Sequence, residues 1–349
     1  MKADRKECVL IFRLGSIGDT VVALPCFHAI ARAYAGYRRV LLTNALTSSR
    51  TSSAESVLDG TGLIDEVIYY PVGDFSIGHI SGLIRQIRRL RPVTLIYLAA
   101  RPRLILVYRD LAFFKAAGIP KIVGGPLSNR LRKCEVDPVT RELEYEAHRL
   151  ARVLSRVAPI DLSRPDWDLR LSPAELAAAD AHLKPVESVP VLLAMAPGAK
   201  IPAKDWGPEN WGALLKLLAP GFRDVALIMV GAGDDHPLCA ELARHWQGPV
   251  LNLCGFLTPR ETAAVLRRCR LLVCHDSGPM HLASSQLTRC VALFGNFNWP
   301  RKWYPFGSGH RVIYEPTGVR EIRVSRVENE VRWALNRGNT MGIVQAAAG

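Results

Sequence analysis

The sequence has few aromatic residues, no low-complexity tract and no long hydrophobic run. No apolar stretch approaches the roughly 18 uninterrupted residues that a membrane-spanning helix needs, so an integral membrane protein is not expected. The N-terminal segment has charge and only a short apolar stretch before a glycine-rich turn, which indicates a first strand and not a signal peptide. We therefore expect a cytoplasmic protein. Aromatic residues make up 7% of the chain and do not interleave with its basic clusters, which argues against a nucleic-acid partner.

The cysteines lack the spacing of a metal or disulfide framework. There are eight of them, scattered along the chain without a CxxC pair, and most lie among apolar residues. We interpret them as reduced core residues, because disulfides are rare in the cytoplasm and zinc sites need closely spaced ligands.

Acidic residues are fewer than basic residues in this chain. The chain has 45 Lys and Arg against 32 Asp and Glu, a formal net charge of +13. The excess is concentrated at residues 85–92, 128–133 and 266–270. These clusters are either solvated helix faces or sites for an acidic partner, and an anionic membrane surface or a phosphorylated substrate fits the charge equally well.

Short apolar runs alternate with longer amphipathic segments along the whole chain. The first half contains five predicted strands, at residues 8–14, 39–44, 66–71, 94–100 and 121–125. The second half repeats the pattern with the runs "PVLLAMAPG", "VALIMVGAG", "VLNLCG", "LLVCHDS" and "CVALFGN". Apolar strands separated by helices are typical of parallel sheets covered on both faces. Since 349 residues are too many for one core, we predict an α/β protein of two doubly wound domains, joined between about residues 163 and 190.

Ligands of open parallel sheets bind beyond the carboxyl ends of the strands, so the turns that follow strands are the places to look for a site. The first such turn is "GSIGD". Gly15 and Gly18 allow a tight turn and a close approach of the backbone to a ligand. Asp19 falls at a helix start, where it can cap the helix or accept a proton from a bound hydroxyl.

The second turn is "APGAKIPAKDWGPENW", at residues 196–211. Lys200 and Lys204 follow the first strand of the second domain and could hold a diphosphate as point charges. The alternative is two solvated loop lysines. The neighbouring Trp206 and Trp211 favour an ordered loop.

The third turn leads from a strand into a helix through Asp276, Ser277, Gly278 and Pro279. Proline near the first helical turn and Ser or Asp at the cap indicate a well-formed helix N-terminus, which is an anion site. His281 lies on that helix, either as a structural hydrogen-bonding group or as a ligand contact. Another strand ends before Asp234 and Asp235, and one of the two could bind ribose hydroxyls.

These turns carry a family resemblance. "RLGSIGDTVVALP" at residues 13–25, "PGAKIPAKDWGPENW" at 197–211 and "DSGPMHLASSQLTRCVALFG" at 276–295 together resemble glycosyltransferase family 9, the heptosyltransferases of lipopolysaccharide core assembly. The resemblance spans nearly the whole chain, with the motifs in the family's order. It implies the GT-B fold, in which two Rossmann-like domains face each other across a cleft.

The resemblance also implies a division of labour between the domains. Residues 1–170 would bind the acceptor and residues 171–324 the nucleotide-sugar donor. Residues 325–349 would form a helix that returns to the first domain, followed by a tail. The implied reaction is inverting transfer of a sugar, typically heptose from ADP-heptose, onto a lipopolysaccharide-core or related glycan.

In that reaction Asp19 matches the proposed general base, and Lys204 would neutralise the departing diphosphate. The remaining expected donor-binding residues are Gly18, Lys200, Asp235, Asp276, Ser277, Gly278, Pro279, Met280 and His281. No metal or other cofactor is expected, since fixed dipoles and a cation can stabilise the leaving group.

The acceptor is less constrained by the sequence. The segment "YLAARPRLILVYRD" departs from the usual heptosyltransferase sequence pattern. Within it, Arg101 and Arg103 either bind an acceptor phosphate or are merely exposed. We expect a monomer whose basic face contacts the anionic cytoplasmic side of the inner membrane. The alternatives are a family member that uses another nucleotide sugar, a non-catalytic sugar-nucleotide-binding protein, and a nicotinamide-dependent oxidoreductase. "GAGDDH" lacks the third glycine of the dinucleotide motif.

Overall fold

The computed structural model describes residues 7–44, 53–70, 76–160, 162 and 166–336. The tail expected after the last helix, residues 337–349, lies outside the described residues. The chain divides into two compact units, Met1–Arg170 and Leu171–Gly349. Each unit is a Rossmann-like α/β domain built on one parallel sheet.

The first domain contains a five-stranded sheet. Its strands are β1 (Cys8–Phe12), β2 (Arg38–Asn44), β3 (Glu66–Tyr70), β4 (Pro92–Tyr97) and β5 (Ile122–Val123). Its helices are α1 (Ile17–Val22), α2 (Leu24–Ala33), α3 (Glu55–Leu58), α4 (Ile77–Leu90), α5 (Leu104–Ala116), α6 (Asn129–Arg132) and α7 (Glu146–Leu154). The strand order is β3-β2-β1-β4-β5, and all four pairings are parallel. The order therefore reverses between β1 and β4.

Burial explains why β1 is the central strand. All five of its residues are buried, so it is apolar on both faces, as a strand covered by helices must be. The ring of Phe12 packs edge-on against those of Tyr97 and Phe114, with centroids 5.2 and 5.0 Å apart. Helix α4 covers the sheet with Leu83 and Ile87 and exposes the arginines of the basic cluster at 85–92.

The second domain contains a six-stranded sheet. Its strands are β6 (Val191–Ala196), β7 (Val225–Met229), β8 (Val250–Asn252), β9 (Leu271–His275), β10 (Arg289–Phe294) and β11 (Arg311–Tyr314). Its helices are α8 (Pro173–Leu183), α9 (Pro208–Leu218), α10 (His236–Ala243), α11 (Pro259–Arg268), α12 (Gly278–Ser285) and α13 (Val324–Asn336). The order is β11-β10-β9-β6-β7-β8, again parallel throughout, and it reverses between β6 and β9.

The last helix packs within the second domain. Helix α13 lies against α9, β9 and β10, and buries Val327, Val331, Ala334 and Leu335 in that domain's core. The family resemblance implied a helix that returns to the first domain. The apolar face of α13 is instead used by the second domain, and the compact unit that contains it is Leu171–Gly349.

The ten predicted strands all coincide with strands of the two sheets, whereas β11 was not predicted. Only one of its four residues is buried, which leaves little of the apolar pattern that reveals a strand. Seven of the eight cysteines are buried, as their apolar surroundings suggested. Among the helices that the structure describes, none is long and apolar enough to cross a membrane.

Candidate functional site

Each sheet has one position where the strand order reverses, and open α/β sheets bind ligands in the crevice at that position. In the first domain the turn after β1, with Asp19, and the turn after β4, with Arg101, flank the reversal. In the second domain the turns after β6 and β9 flank it. The second and third predicted motifs therefore meet at one edge of one sheet.

Asp19 caps a helix and keeps part of its carboxylate exposed. The backbone N–H of Ser16 donates to its Oδ2 over 2.9 Å, and the Ser16 hydroxyl donates to the same oxygen over 3.2 Å. The carboxylate thereby caps the start of α1, where the helix dipole favours negative charge. Its side chain is still 33% exposed. A bound hydroxyl can therefore reach it.

A buried arginine fixes the position of Asp19. Arg13 is 1% exposed, and its Nη2 donates to the backbone oxygen of Asp19 over 2.7 Å. Its Nη1 donates to the carbonyl of Leu98 over 2.9 Å, and Nη2 lies 3.7 Å from Asp19 Oδ1. Arg13 thus joins the ends of β1 and β4 beneath the carboxylate. The motif spacing did not reveal this role, although an arginine directly after a buried strand was a usable signal.

The backbone conformation of Gly15 explains why the motif begins with a glycine. Its φ is +143°, a conformation that residues with side chains rarely adopt, and an added Cβ would clash with the Cβ of Asp19. Its N–H donates to Asn44 Oδ1 over 2.8 Å. Gly18 is buried in the first turn of α1 and belongs to the first domain, unlike the other expected donor-binding residues.

Arg101 is largely committed to a partner inside the first domain. Its Nε donates to Asp110 Oδ2 over 2.7 Å, and the Tyr97 hydroxyl donates to the same oxygen over 2.7 Å. Burial, together with this bond, raises the pKa of Tyr97. The Arg101 side chain is 14% exposed, whereas Arg103 is exposed at the cap of α5. Both expected acceptor residues lie just after β4, and Arg103 is the more accessible.

Lys204 and Asp276 form an ion pair across the strand reversal of the second domain. Lys204 ends the 3₁₀ turn Pro202–Lys204, and its Nζ lies 2.6 Å from Asp276 Oδ2. The two side chains are 19% and 8% exposed. Lys200, by contrast, is exposed to solvent. Of the two lysines, Lys204 is therefore the one that the fold holds at the sheet edge.

The start of α12 lies beside that ion pair. Ser277 occupies the cap position, but its hydroxyl donates to the carbonyl of His275 over 3.3 Å and makes no cap bond to the helix. Pro279 has no N–H and Met280 is fully buried, so Gly278 supplies the accessible backbone donor of the first turn. This donor, the positive end of the helix dipole and Lys204 could together hold an anion.

Two residues of α12 that were expected to contact the ligand are buried. Met280 is fully buried and packs in the core. His281 is 4% exposed, and its ring centroid lies 6.4 Å from that of Trp303 in an edge-on arrangement. This burial favours a structural hydrogen-bonding histidine over a ligand contact.

Asp235 lies against the second motif. Its Oδ2 accepts the N–H of Ala232 over 2.9 Å, and a Cβ added to Gly198 would clash with its carboxylate. Asp235 and the turn after β6 are therefore in contact. Asp234 is exposed. Of the two carboxylates, Asp235 is the one that lies against the turn after β6.

His275 connects the second and third turns and was missed as a site residue. It is fully buried at the end of β9, and its Nε2 accepts the N–H of Trp206 over 2.9 Å. Burial lowers the pKa of His275 to about 4, so the ring is neutral and can accept this bond. The Trp211 ring packs against it with a centroid distance of 5.2 Å. His275 thereby orders the loop that presents Lys204.

The second domain thus gathers a lysine, a helix N-terminus and a carboxylate at one sheet edge. Within the described part of the chain, no three His, Cys, Asp or Glu side chains are grouped as metal ligands would be.

Comparison with known proteins places this geometry in a family. The family model described as "Glycosyltransferase family 9 (heptosyltransferase)" matches residues 128–326. Lipopolysaccharide heptosyltransferase 2 of Salmonella typhimurium is 30% identical over 138 residues, and its Escherichia coli counterpart is 29% identical over 138 residues. Each match covers 38% of this chain and 38% of the relative. The chain therefore spans less than half the length of these curated relatives.

Solved structures share the fold over nearly the full length. A family 9 glycosyltransferase of Veillonella parvula superposes with a TM-score of 0.73 at 17% identity, over 96% of this chain and 98% of that one. E. coli ADP-heptose heptosyltransferase II gives 0.66 at 20% identity, over 94% and 98%. An E. coli heptosyltransferase solved with ADP-2-deoxy-2-fluoro heptose gives 0.65 at 16%, over 93% and 99%. At these identities the likeness establishes the fold.

Proposed function

The chain belongs to glycosyltransferase family 9, and from that premise we propose that it transfers a sugar from a nucleoside diphosphate to a hydroxyl of a surface-glycan acceptor. The observation that carries the proposal is the anion site of the second domain, where Lys204 lies beside the uncapped start of α12. A diphosphate leaving group needs such a combination of a cation and fixed donors.

The leaving group is held by the second domain. Lys204 and the backbone N–H of Gly278 would neutralise the charge that develops on the diphosphate as the bond to the anomeric carbon breaks. Asp235, beside the same turn, would accept from ribose hydroxyls. This part of the reaction needs no resident metal or cofactor.

The acceptor is activated by the first domain. Its hydroxyl oxygen would attack the anomeric carbon from the face opposite the diphosphate, which inverts the configuration. Asp19 would take the hydroxyl proton, so that one C–O bond forms as the other breaks. Arg13 holds the backbone of Asp19, and Ser16 occupies only one carboxylate oxygen. The other oxygen is the proposed proton acceptor.

We propose ADP-heptose as donor and a lipopolysaccharide-core glycan as acceptor. Support comes from the curated relatives, which are lipopolysaccharide heptosyltransferases, and from the structural neighbour solved with ADP-2-deoxy-2-fluoro heptose. The net charge of +13 fits an anionic glycolipid, with Arg103 and the outer part of Arg101 as acceptor contacts. The same charge favours a monomer at the anionic cytoplasmic face of the inner membrane.

Calorimetric titration with ADP, UDP, GDP and NAD in parallel tests the donor. Tightest binding of ADP supports an ADP-sugar. Tightest binding of UDP or GDP would leave the proposed mechanism unchanged and would indicate a donor sugar other than heptose. Binding of NAD alone would overturn the transferase and favour an oxidoreductase.

A further inference from the structure

The loop after β10 contacts both members of the Lys204–Asp276 ion pair. Strand β10 lies beside β9, with Leu293 opposite His275. The carboxyl ends of these parallel strands meet at the same sheet edge, so the loop leaves the sheet next to Asp276. Gly295 packs at its start against the backbone, where an added Cβ would clash with the nitrogen of Val319. The exit of the loop from the sheet is thereby fixed.

Two consecutive residues of this loop make the contacts. The Nδ2 of Asn298 donates to Asp276 Oδ2, which is also the oxygen that lies 2.6 Å from Lys204 Nζ. The ring centroid of Phe297 lies 5.2 Å from the same Nζ, within the range of a cation–π contact. One carboxylate oxygen therefore accepts from an ammonium and from an amide, while the ammonium faces an aromatic ring.

The presence of two partners on one oxygen of Asp276 matters when an anion enters the site. Lys204 can turn toward a phosphate only by giving up part of its contact with Asp276. A carboxylate that is 8% exposed and loses its partner suffers a large desolvation cost, and nearby phosphate charges add repulsion. The amide of Asn298 is a neutral donor that stays on Asp276 after Lys204 turns away. The Phe297 ring keeps the ammonium near the sheet edge meanwhile.

We propose that Asn298 is a positioning residue of the donor site: it retains Asp276 so that Lys204 can exchange a carboxylate for a diphosphate. The identity of the diphosphate as part of a nucleotide-sugar donor rests on the proposed function. The exchange itself requires only an anion with the charge of a diphosphate.

The test uses calorimetric titration of the full chain with ADP and, separately, with inorganic pyrophosphate. Asn298→Ala should weaken the binding of both ADP and pyrophosphate by about tenfold, because a hydrogen bond to a charged group is lost. Asn298→Asp should weaken both further, because a second carboxylate would face Asp276. Asn296→Ala is the matched control, since Asn296 is an exposed amide of the same loop, and its affinities should stay within about twofold of wild type.

A double-mutant cycle with Lys204→Ala separates positioning from structural damage. If Asn298 acts through Lys204, its removal should cost less than about twofold once Lys204 is already absent. An equal tenfold loss in both backgrounds, or wild-type binding by Asn298→Ala, would overturn the positioning role. Pyrophosphate binding without any preference for ADP would count against the nucleotide donor alone, and binding of neither anion would overturn both.

Discussion

At the strand reversal of the first sheet the side chain presented to the ligand crevice is the carboxylate of Asp19, whereas at that of the second sheet it is the ammonium of Lys204. Asp19 is anchored to backbone groups and to the buried Arg13. Lys204 is anchored to Asp276, a side chain whose charge it can exchange for that of a ligand.

Under the proposed function, one architecture supports two kinds of chemistry. Both sheets provide the same topological position, and the residues at that position decide what it does. A proton acceptor must keep its place and an accessible oxygen, and a carboxylate held by backbone donors satisfies both needs. A side chain that binds phosphate must be able to leave its resting partner, and a side-chain ion pair allows this exchange.

The largest expected effect is on catalysis in the first domain. Asp19→Asn keeps the size of the side chain and its cap bond but cannot take a proton, so sugar transfer should fall by about a thousandfold. The measurement is kcat/KM with donor and acceptor supplied. Serine at position 16 offers a control, because Ser16→Ala removes only one bond to Asp19 and should retain most activity. Near-normal turnover by the Asp19→Asn variant would remove Asp19 from the base role.

The next effect is a pH dependence that belongs to the second domain. The folded chain protonates His275 only near pH 4, whereas an unfolded chain does so near its ordinary value of 6.5. Its contribution to stability is therefore complete above pH 6.5 and is lost as the pH falls to about 4. The free energy of unfolding should drop by roughly 3 kcal/mol over that interval from this group alone.

Tryptophan fluorescence during urea unfolding can follow this loss, because six of the seven tryptophans lie in the unit Leu171–Gly349. In His275→Gln the amide oxygen can accept from Trp206 without titrating, so the pH slope of the second domain should flatten. Equal slopes in wild type and variant would show that the neutral imidazole is not what ties the two turns together.

A smaller effect separates the two lysines. Lys204→Ala removes a partly buried charge at the anion site and should weaken ADP binding by about 10- to 100-fold. Lys200→Ala removes an exposed lysine four residues away and should change affinity by no more than about fivefold. Calorimetry of the pair decides between them. The reverse ranking would move the phosphate contact to Lys200.

The smallest effect concerns the acceptor side. Arg103 is exposed, so Arg103→Ala should weaken the binding of an anionic acceptor by only about fivefold and leave the affinity for ADP unchanged. The readout is the KM for acceptor against that for donor. A change in the donor KM alone would assign Arg103 to the other substrate.

The sequence predicted the strands well because each is a short apolar run bounded by turn residues, a local property. Strand β11 was missed because it is short and only Ile313 is buried. The destination of α13 was missed for another reason: its amphipathic pattern shows that one face is buried, but not which domain buries it.

The motifs identified the turns of the candidate site, but partners distant in sequence could not be predicted. Asp19, Lys204 and the start of α12 lie in turns with recognisable glycine, lysine and proline spacing. Arg13 contacts Leu98, and Asn298 contacts Asp276. Such contacts depend on which strands are neighbours, and local spacing does not encode them. The burial of Met280 depends on the same packing, and its motif position did not predict it.

The most direct test of the central claim is ADP titration of Asp19→Asn and Lys204→Ala side by side, with wild type as reference. The division between the two sheets predicts that Asp19→Asn binds ADP as tightly as wild type, while Lys204→Ala binds it at least about tenfold more weakly. Weakened binding by Asp19→Asn together with normal binding by Lys204→Ala would contradict the assignment of acceptor activation to the first domain and diphosphate binding to the second.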